Sequence, residues 1–123
     1  MEDSGIISSK AENKKKGNIG EAIAVKYLKE NKIKILETNY KNIIGEIDII
    51  ALDNDNRILF IEVKMRSSAK FGYPREAVNY KKQQKIRRVA ELYLKMKKKT
   101  DTYIRFDVIE ILGDKVTYIK SAF

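Results

Sequence analysis

The chain has no cysteine, no histidine and no tryptophan, and only one proline in 123 residues. Without Cys or His there is no zinc site, no disulfide framework, no thiol nucleophile and no histidine-based mechanism. Any acid-base work must fall to Asp, Glu, Lys or Tyr. No apolar run reaches the roughly eighteen residues of a membrane-spanning helix, and the amino terminus lacks a signal-peptide core. The expectation is therefore a cytoplasmic protein with no membrane partner. The length suits one domain around one core, and no repeat, low-complexity block or linker divides it.

Charge, by contrast, is abundant and unevenly placed. The 26 Lys and Arg exceed the 17 Asp and Glu, for a formal net charge of +9. Residues 64 to 99 hold thirteen of the cations against two Glu, and the flanking segments are close to neutral. A polyanion is the natural partner of such a stretch, and nucleic acid is the commonest one. A Lys-rich, merely solvated helix would give the same count.

The stretch Gly45 to Lys64 reads as two strands joined by the turn cluster Asp53-Asn54-Asp55-Asn56. Both faces are largely apolar, as in inner strands covered on two sides. With Asn54, Asp55 and Asn56 as a three-residue turn, Asp53 faces Arg57 and Asp48 faces Glu62. Alternation then puts Glu46, Asp48, Glu62 and Lys64 at one end of a face that also carries Ile50, Leu52, Ile58 and Phe60. The opposite face, Ile47, Ile49, Ala51, Leu59, Ile61 and Val63, is wholly apolar. A two-residue turn would split the acids across the sheet.

Two opposed carboxylates repel unless neutralised, and Mg²⁺ or Mn²⁺ does this while keeping bound waters for chemistry. Lys64 beside them suits holding a water or offsetting charge on a phosphate oxygen. A cross-strand salt bridge from Lys64 to one acid is the plainer reading. The tripeptide acid-x-Lys occurs at Glu12/Lys14, Glu30/Lys32 and Glu62/Lys64; only the third ends a buried strand with another acid opposite.

Around this hairpin, residues 1 to 16 read as a disordered basic lead-in. A helix is predicted from Asn18 to about Asn31, with Glu21, Ala24, Val25 and Leu28 on one stripe. Glu21 either points to the sheet or completes a capping box with Asn18. Lys34 to Glu37 reads as a short strand, followed by a turn around Asn39 to Ile44. Residues 65 to 80 read as a loop in which Arg66, Lys70, Phe71, Tyr73 and Arg75 suit phosphates and exposed bases, or simply an aromatic-pinned loop. A helix is predicted from about Tyr80 to Lys97, buried along Ile86, Val89, Ala90, Tyr93 and Met96. Gln83 then lies on its sheet-facing side, and Lys81, Lys85 and Arg88 share another face. Tyr103 to Leu112 alternates Ile104, Phe106 and Val108 with Arg105 and Asp107. Gly113-Asp114 makes a tight turn, and Val116 to Ala122 returns as an edge strand.

The order helix, three strands, helix, strand, with an acid on the first helix, Asp on the second strand and E-x-K on the third, resembles the PD-(D/E)XK nuclease superfamily. The runs K-G-N-I-G-E-A-I-A-V-K-Y-L, G-E-I-D-I-I-A, F-I-E-V-K-M-R-S-S, F-G-Y-P-R-E-A-V, K-K-Q-Q-K-I and R-F-D-V-I resemble its bacterial YraN-like family, which is similar to archaeal Holliday-junction resolvases. The likeness spans residues 16 to about 120, with Ile47-Asp48 where the motif usually has Pro-Asp.

The resemblance implies an α/β fold with a restriction-endonuclease-like αβββαβ core, a mixed central sheet flanked by helices and a C-terminal edge strand, all in one nuclease-like domain over residues 17–123. It implies a catalytic set of Glu21, Asp48, Glu62 and Lys64 with Gln83 in support. Asp48, Glu62 and the Val63 carbonyl would bind Mg²⁺ or Mn²⁺, and Glu21 would bind a second ion or orient the nucleophile. The implied activity is endonucleolytic cleavage of DNA, first of all branched or structured DNA, leaving a 5′ phosphate and a 3′ hydroxyl. Arg66, Lys70, Arg75, Lys81, Lys82, Lys85 and Arg88 are the expected DNA contacts, and likeness to resolvases suggests a homodimer. The alternatives are a non-catalytic nucleic-acid-binding module, which needs the basic helix but not the acids, and an interaction protein with no salt-sensitive DNA binding.

Overall fold

The computed structural model describes residues 19–66 and 78–123. In chain order these form α1 (residues 19–30), β1 (Lys34–Lys41), β2 (Glu46–Leu52), β3 (Ile58–Arg66), α2 (Tyr80–Met96), β4 (Ile104–Leu112) and β5 (Lys115–Ile119). The five strands make one sheet in the order β1-β2-β3-β4-β5. Only β3 and β4 run parallel; the other neighbours are antiparallel. The parallel pair is joined through α2, as parallel strands need a crossover while antiparallel ones need only a turn. This is the expected αβββαβ core with a mixed sheet between helices, and β5 is its C-terminal edge strand. Among the described residues no helix is long and apolar enough to cross a membrane.

Among the described residues each face of the sheet is covered by one helix. Ala24 and Leu28 of α1 pack on Ile49, Ala51, Leu59, Ile61, Ile109 and Ile111. On the other face Ile86, Val89, Ala90 and Tyr93 of α2 cover Ile50, Ile58, Phe60, Phe106 and Val108. Burial of each such side chain contributes about 1.5 to 3 kcal/mol. Tyr93 meets Phe60 and Tyr40 edge-on, with centroids 5.9 and 5.0 Å apart. The helix starts at Asn79, whose side chain accepts the Lys82 N–H, the usual capping use of Asn. Met96, expected on the buried stripe, is exposed: it lies in the last turn among the exposed Lys95 and Lys97, and the stripe closes at Tyr93.

Three details depart from simple strand alternation. First, β1 runs to Lys41 and does not stop at Glu37, because its irregularities are absorbed inside the strand. A bulge lies between Ile35 and Glu37, and Asn39 takes a positive φ of 51°, which Asn tolerates better than most residues. The turn proper spans residues 42–45. Second, Ile47 packs with Ile50 under α2 and not with Ile49. The alternation of β2 therefore skips at Asp48, which the pairs Thr38↔Ile49 and Tyr40↔Ile47 leave across from Asn39. Third, Asp107, expected on the polar side of β4, is completely buried. It accepts from Arg105 Nε at 2.9 Å, the Tyr118 hydroxyl at 2.5 Å and the Ser121 N–H at 2.9 Å. It thereby ties β4, β5 and the C-terminal residues together.

Candidate active site at the fork of β2 and β3

The turn between β2 and β3 has the odd length that the acid pair requires. Asp53 N–H donates to the Arg57 carbonyl and Asn56 N–H to the Asp53 carbonyl, both at 3.1 Å, with Asn56 at φ 61°. The Asp53 carboxylate also accepts from Arg57 Nε at 2.8 Å. The paired register runs from Leu52↔Ile58 to Ile49↔Ile61, so Asp48 and Glu62 are the next residues on their strands.

Here side chains replace the ladder. Asp48 N–H donates to Glu62 Oε2 at 3.2 Å, and Val63 N–H donates to Asp48 Oδ2 at 2.8 Å. Each carboxylate is thus fixed by a backbone amide of the opposite strand, and both sit in the fork where the strands part. α1 reaches this fork because Gly20 lets it lie close to the end of β3. A Cβ at Gly20 would stand 3.3 Å from Met65 Cβ and 3.6 Å from Val63 Cγ1. α2 reaches it from the other side through Lys82, whose Nζ is 3.6 Å from Glu62 Oε1.

Glu62 is only 3 % exposed. Burial, and then the charge of Asp48, push its carboxyl up to about 7. The Asp48 carboxyl is also raised by burial, against the pull of the Val63 amide and the two lysines. Lys64 is lowered by burial and by Lys82 beside it. Burial pulls Lys82 down too, but its hydrogen bond with Lys64 and the two carboxylates outweigh that and raise it. The cluster therefore sets an acid that exchanges its proton near neutral pH, Glu62, beside an amine, Lys64, that gives up its proton more readily than a free lysine, the kind of shift that suits groups for proton transfer.

The expected residues fall into three groups. Asp48, Glu62 and Lys64 are brought together. Glu21 is half-buried on α1, where burial and the charge of Asp48 raise its carboxyl while a hydrogen bond to Asn39 lowers it. It stands at the rim, and among the described residues no group of three carboxylates converges on one metal position. The expected trio of acids is a close pair with a third nearby. Its rival role, the capping box with Asn18, lies outside the described residues.

Gln83 does not reach the acids; its Nε2 donates to the Val78 carbonyl at 2.8 Å and secures the start of α2. Arg66 is not a free phosphate contact, since its Nε pairs with Glu110 Oε1 at 3.2 Å and its side chain is mostly buried. Lys81, Lys85 and Arg88 are exposed on α2. Lys70, Arg75 and the aromatic residues between them lie outside the described residues.

Two members of the site escaped the sequence reading. Lys82, expected only as a DNA contact, turns inward to Glu62; it lies one helical turn before the buried Ile86, and that i−4 spacing was its signal. Glu110 is 3 % exposed and pairs in register with Lys64 across β3 and β4. Its Oε2 has no hydrogen-bond partner among the described residues, and burial raises its carboxyl against the pull of Arg66 and Lys64. Its signal was the parity it shares with the buried Phe106 and Val108.

Fold and site together define an αβββαβ domain whose central strands part around a carboxylate pair, Glu62 buried and Asp48 half-buried, attended by two lysines. The chain belongs to the uncharacterised protein family UPF0102, whose model matches residues 20–111, from α1 to the end of β4. It is 46% identical to a UPF0102 protein of Acetivibrio thermocellus, over 95% of this chain and 97% of that one. It is 51% identical to UPF0102 proteins of Alkaliphilus oremlandii and Clostridioides difficile, over 90% of this chain and 99% and 98% of theirs.

Proposed function

We propose that this protein is a Mg²⁺- or Mn²⁺-dependent endodeoxyribonuclease of the PD-(D/E)XK kind that acts on branched or structured DNA. The observation that carries the reading is the fork itself, where Asp48 and Glu62 are each locked by an amide of the opposite strand with Lys64 beside them. The αβββαβ order and the six motifs that resemble the YraN-like family support it.

The donor set fits a divalent cation. Asp48 and Glu62 offer hard oxygens, and the upward shift of both carboxyls reflects burial and repulsion that a bound cation would relieve. Asp48 and Glu62, with the Val63 carbonyl, would hold the ion, and Glu21 would serve a second one or orient water. Such an ion supplies Lewis acidity toward a phosphate oxygen and a more acidic bound water. The chain's own residues do the rest. Lys64, its proton affinity lowered, holds the attacking water or receives its proton. Lys82 screens the pair and draws the phosphate in, and the exposed cations of α2 hold the strand by its backbone.

The 3.6 Å approach of Lys82 to Glu62 favours one other reading, a DNA-binding module in which a lysine takes the place of the ion. The two separate in a cleavage assay on a four-way junction and on flapped, single-stranded and duplex DNA, with Mg²⁺, Mn²⁺ or EDTA. The enzyme reading expects metal-dependent cutting that falls at least ~100-fold in Asp48→Asn and Glu62→Gln, the scale seen when one group that stabilises a transition state is removed. If no metal elicits cutting and both variants bind DNA as the wild type does, the binding module stands instead.

A further inference from the structure

Beside the acid fork, between the β1–β2 turn and the start of α2, runs a groove of about 670 Å³ lined by Lys41, Lys81, Lys82 and Lys85, with Glu46 the one acid among the described residues that line it. Lys82 belongs to both groove and fork. Ile43 stands in the lining, and its side chain is 96 % exposed. A single exposed isoleucine is ordinary on a protein surface. This one stands away from the core on a turn tied down by hydrogen bonds.

The turn that carries it is fastened at several points. Asn42 Oδ1 accepts the N–H groups of Ile44 and Gly45 at 2.9 and 3.4 Å. Asn42 N–H donates to the Gly45 carbonyl at 2.9 Å, and Asn42 Nδ2 donates to the Val89 carbonyl of α2 at 3.2 Å. Gly45 lies so close to α2 that a Cβ there would stand 3.0 Å from Lys85 Cε and 3.2 Å from Val89 Cγ2. A branched apolar side chain is thus presented on a braced support, in a groove that carries four lysines and shares one of them, Lys82, with the carboxylate pair.

We infer that the groove is a track for one DNA strand and that Ile43 is a wedge inserted between bases beside the point of cleavage. The inference rests on the DNA reading above and says how the substrate is chosen. Phosphates meet Lys41, Lys81 and Lys85, while the apolar prong enters a base step. Opening a stacked step has an unstacking cost, and it is least where stacking is already interrupted. A wedge therefore selects branch points, nicks and flaps over continuous duplex without reading sequence. Charge complementarity commits the groove to a polyanion; a second copy of this chain, equally basic, would be repelled from it.

The test uses the full chain carrying Glu62→Gln, so that DNA survives, and junction and duplex probes with 2-aminopurine at the branch or the matched central step. Fluorescence of the junction probe should rise at least ~2-fold on binding, with little change for the duplex. Adding Ile43→Ser should abolish the rise and reduce the preference for junction over duplex about 10-fold; so exposed a position carries little folding risk. Lys41→Ala should weaken both DNAs and reduce the slope of log K against log salt by about 1, as for one phosphate no longer neutralised. If Ile43→Ser keeps both the rise and the preference, the wedge is wrong and the DNA reading survives. If the protein binds no DNA, both fall. If Ile43→Ser instead dissociates a dimer on sizing, the prong is an interface between copies and the wedge is again wrong.

Discussion

Glu62 holds its proton up to about pH 7 in the folded chain, against 4.5 for an ordinary glutamate, because it is buried and faces Asp48. Between those two values the folded state keeps a proton that the unfolded chain has released. Without divalent metal, stability should therefore fall as pH rises through that window, by about 3 kcal/mol if the whole shift is expressed, and then level off. Asp48, shifted in the same direction, adds to the trend. Urea unfolding in EDTA at pH 5, 6, 7 and 8 measures it; Glu62→Gln should flatten the profile, and a wild type that gains stability across the window would show that the fold favours the charged form. The acid pair was legible in the sequence because its position follows from one integer, the length of the turn. Lys82 was less so, since which lysine of a basic helix turns inward depends on how that helix docks. Glu110 was hidden for a similar reason. An inward acid on a strand looks like an outward one until its neighbour strand is known.

At the level of elements, periodicity located both helices and all five strands of the described residues, and the errors lie where side chains overrule it. Asn39 reads as turn chemistry, yet β1 accommodates its positive φ and continues. Asp107 reads as the polar side of β4, yet Arg105, Tyr118 and Ser121 bury it. That network gives a prediction for β4 and β5. Asp107→Ala leaves the Arg105 guanidinium, mostly buried, without its carboxylate, and breaking a buried pair typically costs about 3 to 5 kcal/mol. Denaturant midpoints should fall accordingly. Asp107→Asn, which keeps the shape and part of the hydrogen bonding, should lose less, and a change within ~0.5 kcal/mol in the alanine variant would show that the network does not hold the C-terminal hairpin.

For the molecule as a whole, the cations cluster in the segment that follows the acid fork, and α2 shows Lys81, Lys85 and Arg88 to solvent. DNA affinity should fall steeply with salt, and replacing these three by alanine should reduce the slope of log K against log salt by about 3, at roughly 0.9 for each phosphate left without its cation. An unchanged slope would move the DNA path off α2. The sheet's topology has a consequence of another kind. β3 finds its antiparallel neighbour immediately behind it, but its parallel partner begins only at Ile104, after all of α2. A ribosome therefore delivers the carboxylate-bearing hairpin with one margin bare and no helical lysine above it, and the domain closes only once β4 has been made. Truncated translation products that stop before β4 would expose an apolar strand margin and be drawn into aggregates.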